Sequence, residues 1–161
     1  MLRKHVLTDL PAAPRISKPD PKDISALATV FVTSEAPDHP IDMVFDSSRG
    51  PGGTRWIAAA DGEQTLMLVF DTPQTIHEIS VETEEPQAHR TQVLCISLSD
   101  DGGQTYRERI RQEFTFSPPN TSFEHEEWSI PAQRVTHLRV AIRPDKGNAP
   151  GRATITSLTI R

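Results

Sequence analysis

Val135-Thr136-His137-Leu138-Arg139-Val140-Ala141-Ile142 is the stretch that decides the fold. Leu138, Val140 and Ile142 recur at every second position, with His137 and Arg139 between them. A period of two puts alternate side chains on opposite faces of an extended chain, so this run is a strand with one face in a core and the other in water. A helix would need its apolar residues three and four apart, and these are not.

Working outward, the same pattern returns on both sides. Ala153 to Ile160 reads as a closing strand that brings Ile155, Leu158 and Ile160 to the core. Phe123 to Ile130, carrying Trp128, and Tyr106 to Phe116 read as polar strands. Arg90 to Ser99 reads as a core strand. It is followed by Asp100-Asp101-Gly102-Gly103, whose glycines supply the positive φ of a hairpin turn. Thr65 to Phe70 places Leu66, Leu68 and Phe70 on one face, and residues 75–83 continue with Ile76, Ile79 and Val81. The slip in spacing between Ile76 and Ile79 predicts a bulge or a strand entry. Upstream lie a short strand from Thr54 to Ala59 holding Trp56, a glycine-rich loop from Asp46 to Gly53, a helical turn at Ile41 to Phe45, and a β-rich run from Ala28 to Ser34. About eight or nine short strands at regular spacing, with turn signals between them, predict a β-sandwich or barrel.

Composition fits that reading. The 161 residues suit one domain and can bury a core without metal or disulfide staples. Fourteen prolines count against a helical bundle. Four of them, Pro11, Pro14, Pro19 and Pro21, make residues 1–23 an extended Pro-rich arm ahead of a domain at 24–161. The arm could cover a sheet edge or swap onto a neighbour, so a monomer or an arm-mediated dimer is expected. The net charge is −5 with both signs interspersed, and no basic stripe marks a nucleic-acid partner. No apolar run approaches the roughly 18 residues of a membrane helix. No apolar segment follows the basic start Met1-Leu2-Arg3-Lys4-His5; no signal peptide is read and the cytoplasm is the expected compartment. Cys95, the one cysteine, lies in an apolar run and reads as a small buried hydrophobe.

Three segments carry a family resemblance. They are Phe45-Asp46 with its glycine-rich loop and Thr54-Arg55-Trp56; Leu66 to Phe70, Asp71, Pro73 and Thr75-Ile76 to Val81; and Ile96-Ser97-Leu98-Ser99-Asp100-Asp101-Gly102-Gly103-Gln104-Thr105-Tyr106. In that order, over about residues 25–161, they resemble the discoidin, or coagulation factor type C, domains of the galactose-binding-like superfamily. The resemblance implies an all-β fold, a single jelly-roll β-sandwich of antiparallel strands, and a binding module for carbohydrate, lipid headgroup or protein. It also implies a structural calcium in the first loop, for which Asp46 and Thr54 are in place. Ser47 replaces a glycine and Ser157 stands where a glutamate is expected, which removes a carboxylate from a hard cation's oxygen set. No other cofactor is expected. The Arg that galactose-type members place in a Pro-Arg-Gln segment is absent from Glu84-Glu85-Pro86-Gln87-Ala88-His89-Arg90, where His89 or Arg90 could substitute.

Chemistry elsewhere is sparse. The six histidines show no zinc-ligand spacing. There is no Gly-x-Ser-x-Gly elbow, Walker loop or dinucleotide fingerprint, and no enzyme is expected. Trp56 and Trp128 sit in strands and read as core. The candidate ligand-binding residues are Arg49, His89, Arg90, Asn148 and Arg152, donors in loops suited to sugar hydroxyls or to a carboxylate. Two partners follow: a glycan bound by loops at one end of the sandwich, or a partner protein docked on the same fold in a cytoplasmic complex.

Overall fold

The computed structural model describes residues 17–161. The first part of the expected arm, residues 1–16, lies outside the described residues. Its last part follows the domain edge: Lys22 N–H donates to Ile160 O at 2.8 Å, and Arg161 Nη1 donates to Pro19 O at 2.8 Å. No helix among the described residues is long and apolar enough to cross a membrane.

Among the described residues the fold is an antiparallel β-sandwich of eight strands. A one-turn helix α1 (Ile24–Leu27), capped by Asp23, precedes β1 (Ala28–Val32), and a 3-10 turn spans Ile41–Val44. Then come β2 (Trp56–Ile57), β3 (Gln64–Glu84), β4 (Arg90–Ser99), β5 (Arg107–Phe116), β6 (Phe123–Arg143), β7 (Thr154–Ile155) and β8 (Ser157–Ile160). Sequence patterning splits both β3 and β6 in two; the structure runs each through as one bent strand of 21 residues. The bend is the bulge predicted from the spacing of Ile76 and Ile79. Register slips between Val69, Gln74, Ile76 and Glu78, where β3 passes opposite the Pro131 corner of β6. Proline has no N–H to give a ladder, so a corner is where a strand tolerates it.

That corner makes two sheets from one ladder. Before it, residues 66–70 of β3 pair with β1 and residues 64–69 with residues 137–142 of β6; β6 pairs in turn with β4, and β4 with β5. After it, residues 78–84 of β3 lie between residues 123–129 of β6 and β8. A five-stranded layer therefore faces a three-stranded one. The register lines up apolar rungs across the larger layer: Leu68, Leu138 and Leu98 in one, Leu66, Val140 and Ile96 in the next. All but Leu98, at 6%, are fully buried, and each buried aliphatic side chain contributes about 1.5–3 kcal/mol. From the other layer Ile79, Val81, Leu158 and Ile160 meet them.

Antiparallel connection fixes where the loops go. Loops 33–55, 58–63, 85–89, 117–122 and 144–153 gather at one end of the sandwich, around β2 and β7. Trp56, fully buried, plugs that end and donates its indole N–H to Ser34 O at 3.0 Å. Trp128 packs partly buried against the core.

Candidate functional site

The loop end is tied together by a few side chains. Arg90, the first residue of β4, donates Nε to Glu85 Oε1 at 2.9 Å and Nη1 to Pro144 O at 3.0 Å and Arg152 O at 2.8 Å. One guanidinium thus staples the 85–89 loop to both ends of the 144–153 loop. Buried Gln92 holds β7: its amide donates to Thr154 O at 2.9 Å, and its carbonyl accepts from Thr154 N–H at 3.2 Å. Asp145 accepts from Ala149 N–H at 3.0 Å and from Thr91 N–H at 3.4 Å. The Ala149 bond above all holds its carboxyl below the usual range.

The glycine-rich loop closes onto β3. Gly50 N–H donates to Glu82 Oε2 at 3.1 Å, and Gly52 N–H to Glu84 Oε2 at 3.0 Å. Both glycines sit at positive φ, +80° and +78°, a backbone that aims their amides at the carboxylates and that other residues rarely adopt.

The calcium expectation is tested by the same bonds. Asp46 already accepts from Ser48 N–H at 2.9 Å and from the Thr54 hydroxyl. Ser157 spends its hydroxyl on Glu82 Oε2 at 3.1 Å. Among the described residues no three His, Cys, Asp or Glu side chains form a metal-holding group. This loop presents N–H donors to carboxylates, the opposite of the oxygen cage a hard cation needs. A calcium ion here would have to displace the bonds that Asp46, Thr54 and Glu82 already make.

Between these loops lie two adjoining shallow cavities. One, of about 190 Å³, is lined by Arg55, Glu84, Gln87, Arg90 and Arg152 among others. The other, of about 270 Å³, continues past Arg55 and Glu84 to His39, Met43 and Thr54. Arg55 Nη1 donates to Glu84 O at 3.4 Å, and His39 Nδ1 contacts Arg55 O at 3.1 Å. Of the five sequence candidates the structure brings Arg90 and Arg152 together here. Arg49 lines a different cavity of about 360 Å³, beside β8, and donates to Thr159 Oγ1 at 2.7 Å. His89 is exposed in the 85–89 loop, and Asn148 is exposed at a turn with φ 60°. Sequence reasoning missed His39, Arg55 and Glu84 as site residues. One signal was present for Arg55: its neighbour Trp56 is core, so Arg55 has to face away from the core.

No family model matches the chain, and no curated protein matches it. Solved structures do. The family 32 CBM from C. perfringens NanJ in complex with galactose superposes with a TM-score of 0.60 at 16% identity, over 87% of this chain and 96% of that one. CpGH89CBM32-5 from Clostridium perfringens, in complex with GalNAc-β-1,3-galactose, gives 0.59 at 15%, over 88% and 99%. A pectin binding carbohydrate binding module gives 0.61 at 18%, over 84% and 90%. At these identities the likeness establishes the fold, a galactose-binding-like β-sandwich.

Proposed function

We propose that this domain is a non-catalytic carbohydrate-binding module that takes a glycan into the loop-end cavities. The observation that carries the reading is the placement of Arg55, Arg152 and Glu84 around one shallow polar cavity. Fork-shaped donors beside an acceptor suit a sugar, whose neighbouring hydroxyls both donate and accept. The Arg90 staple, the Gln92 clasp and the buried Trp56 hold the loops before a ligand arrives, so binding needs little reorganisation. No Phe, Tyr or Trp side chain lines these two cavities among the described residues, and modest affinity is expected. The fold shared with modules solved in complex with galactose and GalNAc-β-1,3-galactose, and with a pectin-binding one, supports the reading. So do the three discoidin-like motifs.

Catalysis finds no pair of free carboxylates here. Glu84 Oε2 accepts from Gly52 N–H, and Glu85 Oε1 is held by Arg90. Glycoside hydrolysis needs two carboxyl groups facing each other across the scissile bond. A second reading, protein docking, draws on Phe31, 56% exposed on edge strand β1. A single exposed side chain is not a contiguous apolar patch, and the glycan reading is preferred.

A glycan array probed with the intact protein, with calcium and with chelator, tests the proposal. Selective binding that is lost in Arg55→Ala and Arg152→Ala, with the far-UV spectrum unchanged, is the expected result. Silence across the array would favour the docking reading, and binding indifferent to both substitutions would remove the loop-end site.

A further inference from the structure

The outer face of the five-stranded sheet holds a trough that the loop-end reading leaves unused. Its volume is about 320 Å³. The floor is made of small side chains, Cys95 and Ser97 from β4 and Ala141 from β6, with Cys95 directly opposite Ala141. Arg139 and Arg143 stand on β6 either side of Ala141, roughly 13 Å apart along the strand at about 3.3 Å per residue. Arg111 reaches in from β5, where it is the cross-strand partner of Cys95.

The charges in this trough are unequally spent. Arg111 is paired with Glu108 at 3.0 Å. Arg139 and Arg143 make no ion pair or hydrogen bond among the described residues. Glu63, at the rim, is the remaining carboxylate. Two guanidinium groups without an ion pair give this trough a local positive character in a chain of net charge −5. Arg139 is also pre-positioned. Its Cζ lies 4.0 Å above the Tyr106 ring centre, and Tyr106 is braced edge-on against His137 with centroids 6.4 Å apart. A guanidinium stacked on an aromatic face keeps its N–H edge free for a carboxylate. Burial pushes the Cys95 thiol up, so the floor stays uncharged at neutral pH and does not repel an anion.

We propose that this trough is a second binding site, independent of the loop end, for a polyanionic sugar chain built from uronate rings. Arg139 and Arg143 would grip carboxylates of separate rings laid along β6, while the small-residue floor admits the chain close to the sheet. An acidic peptide fits less well for two reasons. β4 and β6 are paired on both sides here, so no backbone groups are left for an added strand. Among the described residues Tyr106 is the one aromatic side chain lining the trough, and it has a face taken by Arg139, so an apolar anchor has little to dock on.

The test titrates the full chain with short oligogalacturonate, oligomannuronate and polyglutamate by calorimetry at low and high salt. The expected result is salt-sensitive binding of at least one uronate that falls about tenfold or more in Arg139→Gln/Arg143→Gln, with thermal stability kept, and that survives in Arg55→Ala/Arg152→Ala. Three outcomes overturn it: no uronate bound, uronate binding that depends on the loop-end arginines instead, or polyglutamate bound as tightly through Arg139 and Arg143. The first and third leave the loop-end glycan reading intact, so the two proposals fail separately.

Discussion

Arg90 and Arg152 line the same cavity, yet the two side chains do different work. Arg90 is only 8% exposed and spends Nε and Nη1 on Glu85 and two loop carbonyls. Arg90→Ala leaves a half-buried carboxylate and two carbonyls without partners. The expected cost is about 2–4 kcal/mol, read as a drop of roughly 4–16 °C in thermal midpoint for a domain of this size. Arg152→Ala removes an exposed side chain and should leave the stability within about 0.5 kcal/mol of wild type, while weakening any glycan bound at the loop end. Sequence could not separate the two. What commits Arg90 is a pair of carbonyls 54 and 62 positions away, brought to it only by the fold. Asp101 was more legible, because Asp-Gly and Gly-Gly announce a turn. Its carboxyl is held well below its ordinary 3.8 by the Thr105 hydroxyl first, then by Thr105 N–H and the Ser99 hydroxyl. A carboxylate with a depressed folded value contributes stability above its unfolded value and loses it as pH falls through the folded one. Urea midpoints should therefore decline as pH drops below 3.8. Asp101→Asn should be less stable at neutral pH with a shallower acid limb. An acid limb identical to wild type would remove Asp101 from the account.

Elements were legible wherever alternation alone sets them and illegible wherever a remote partner does. Leu66, Leu68 and Phe70, or Leu138, Val140 and Ile142, announce their strands because one face is core and the other is solvent. The expected strand Thr54 to Ala59 shrinks to Trp56–Ile57, and the last strand breaks at Thr156, because β2 and β7 pair only with each other across the loop end. The trough is the extreme case. Arg111, Arg139 and Arg143 come from two strands, and only the β4–β5 and β4–β6 registers place them over the same floor. The loop from Asp46 to Thr54 is the element whose behaviour follows most directly from its bonds. Glu82, 6% exposed, accepts from Gly50 N–H and the Ser157 hydroxyl, doing for this loop what a cation does in an oxygen cage. Glu82→Ala strands both donors and should cost about 1–3 kcal/mol. Because Ser48 N–H and the Thr54 hydroxyl already bond the Asp46 carboxylate and would have to be displaced, calcium should not raise the thermal midpoint over chelator. A midpoint that climbs with added calcium would show that the ion displaces these bonds, and the account of the loop would be wrong.

At the scale of the molecule, the two layers are not two units. β3 and β6 each run unbroken through both, and their mutual pairing is the longest in the structure, from Gln64 opposite Ile142 to Glu84 opposite Phe123. Pulling the five-stranded layer apart therefore drags the same two chains out of the three-stranded layer. The core is shared in the same way, with Leu138 on one side and Ile79 and Leu158 on the other in one cluster. Unfolding should be a single cooperative transition, with tryptophan fluorescence and far-UV circular dichroism superimposable in urea. The two probes sample different places, since Trp56 plugs the loop end and Trp128 lies opposite Ile79 in the smaller layer, whereas circular dichroism averages every strand. Leu138→Ala, a fully buried site in the larger layer, should cost about 2–5 kcal/mol. The decisive point is how that cost is displayed. If the layers are knitted as described, both probes move together by the same amount, although Trp128 belongs to the other layer. If the corner at residues 70–77 were a hinge between independent sheets, circular dichroism would split into two transitions and only one of them would move.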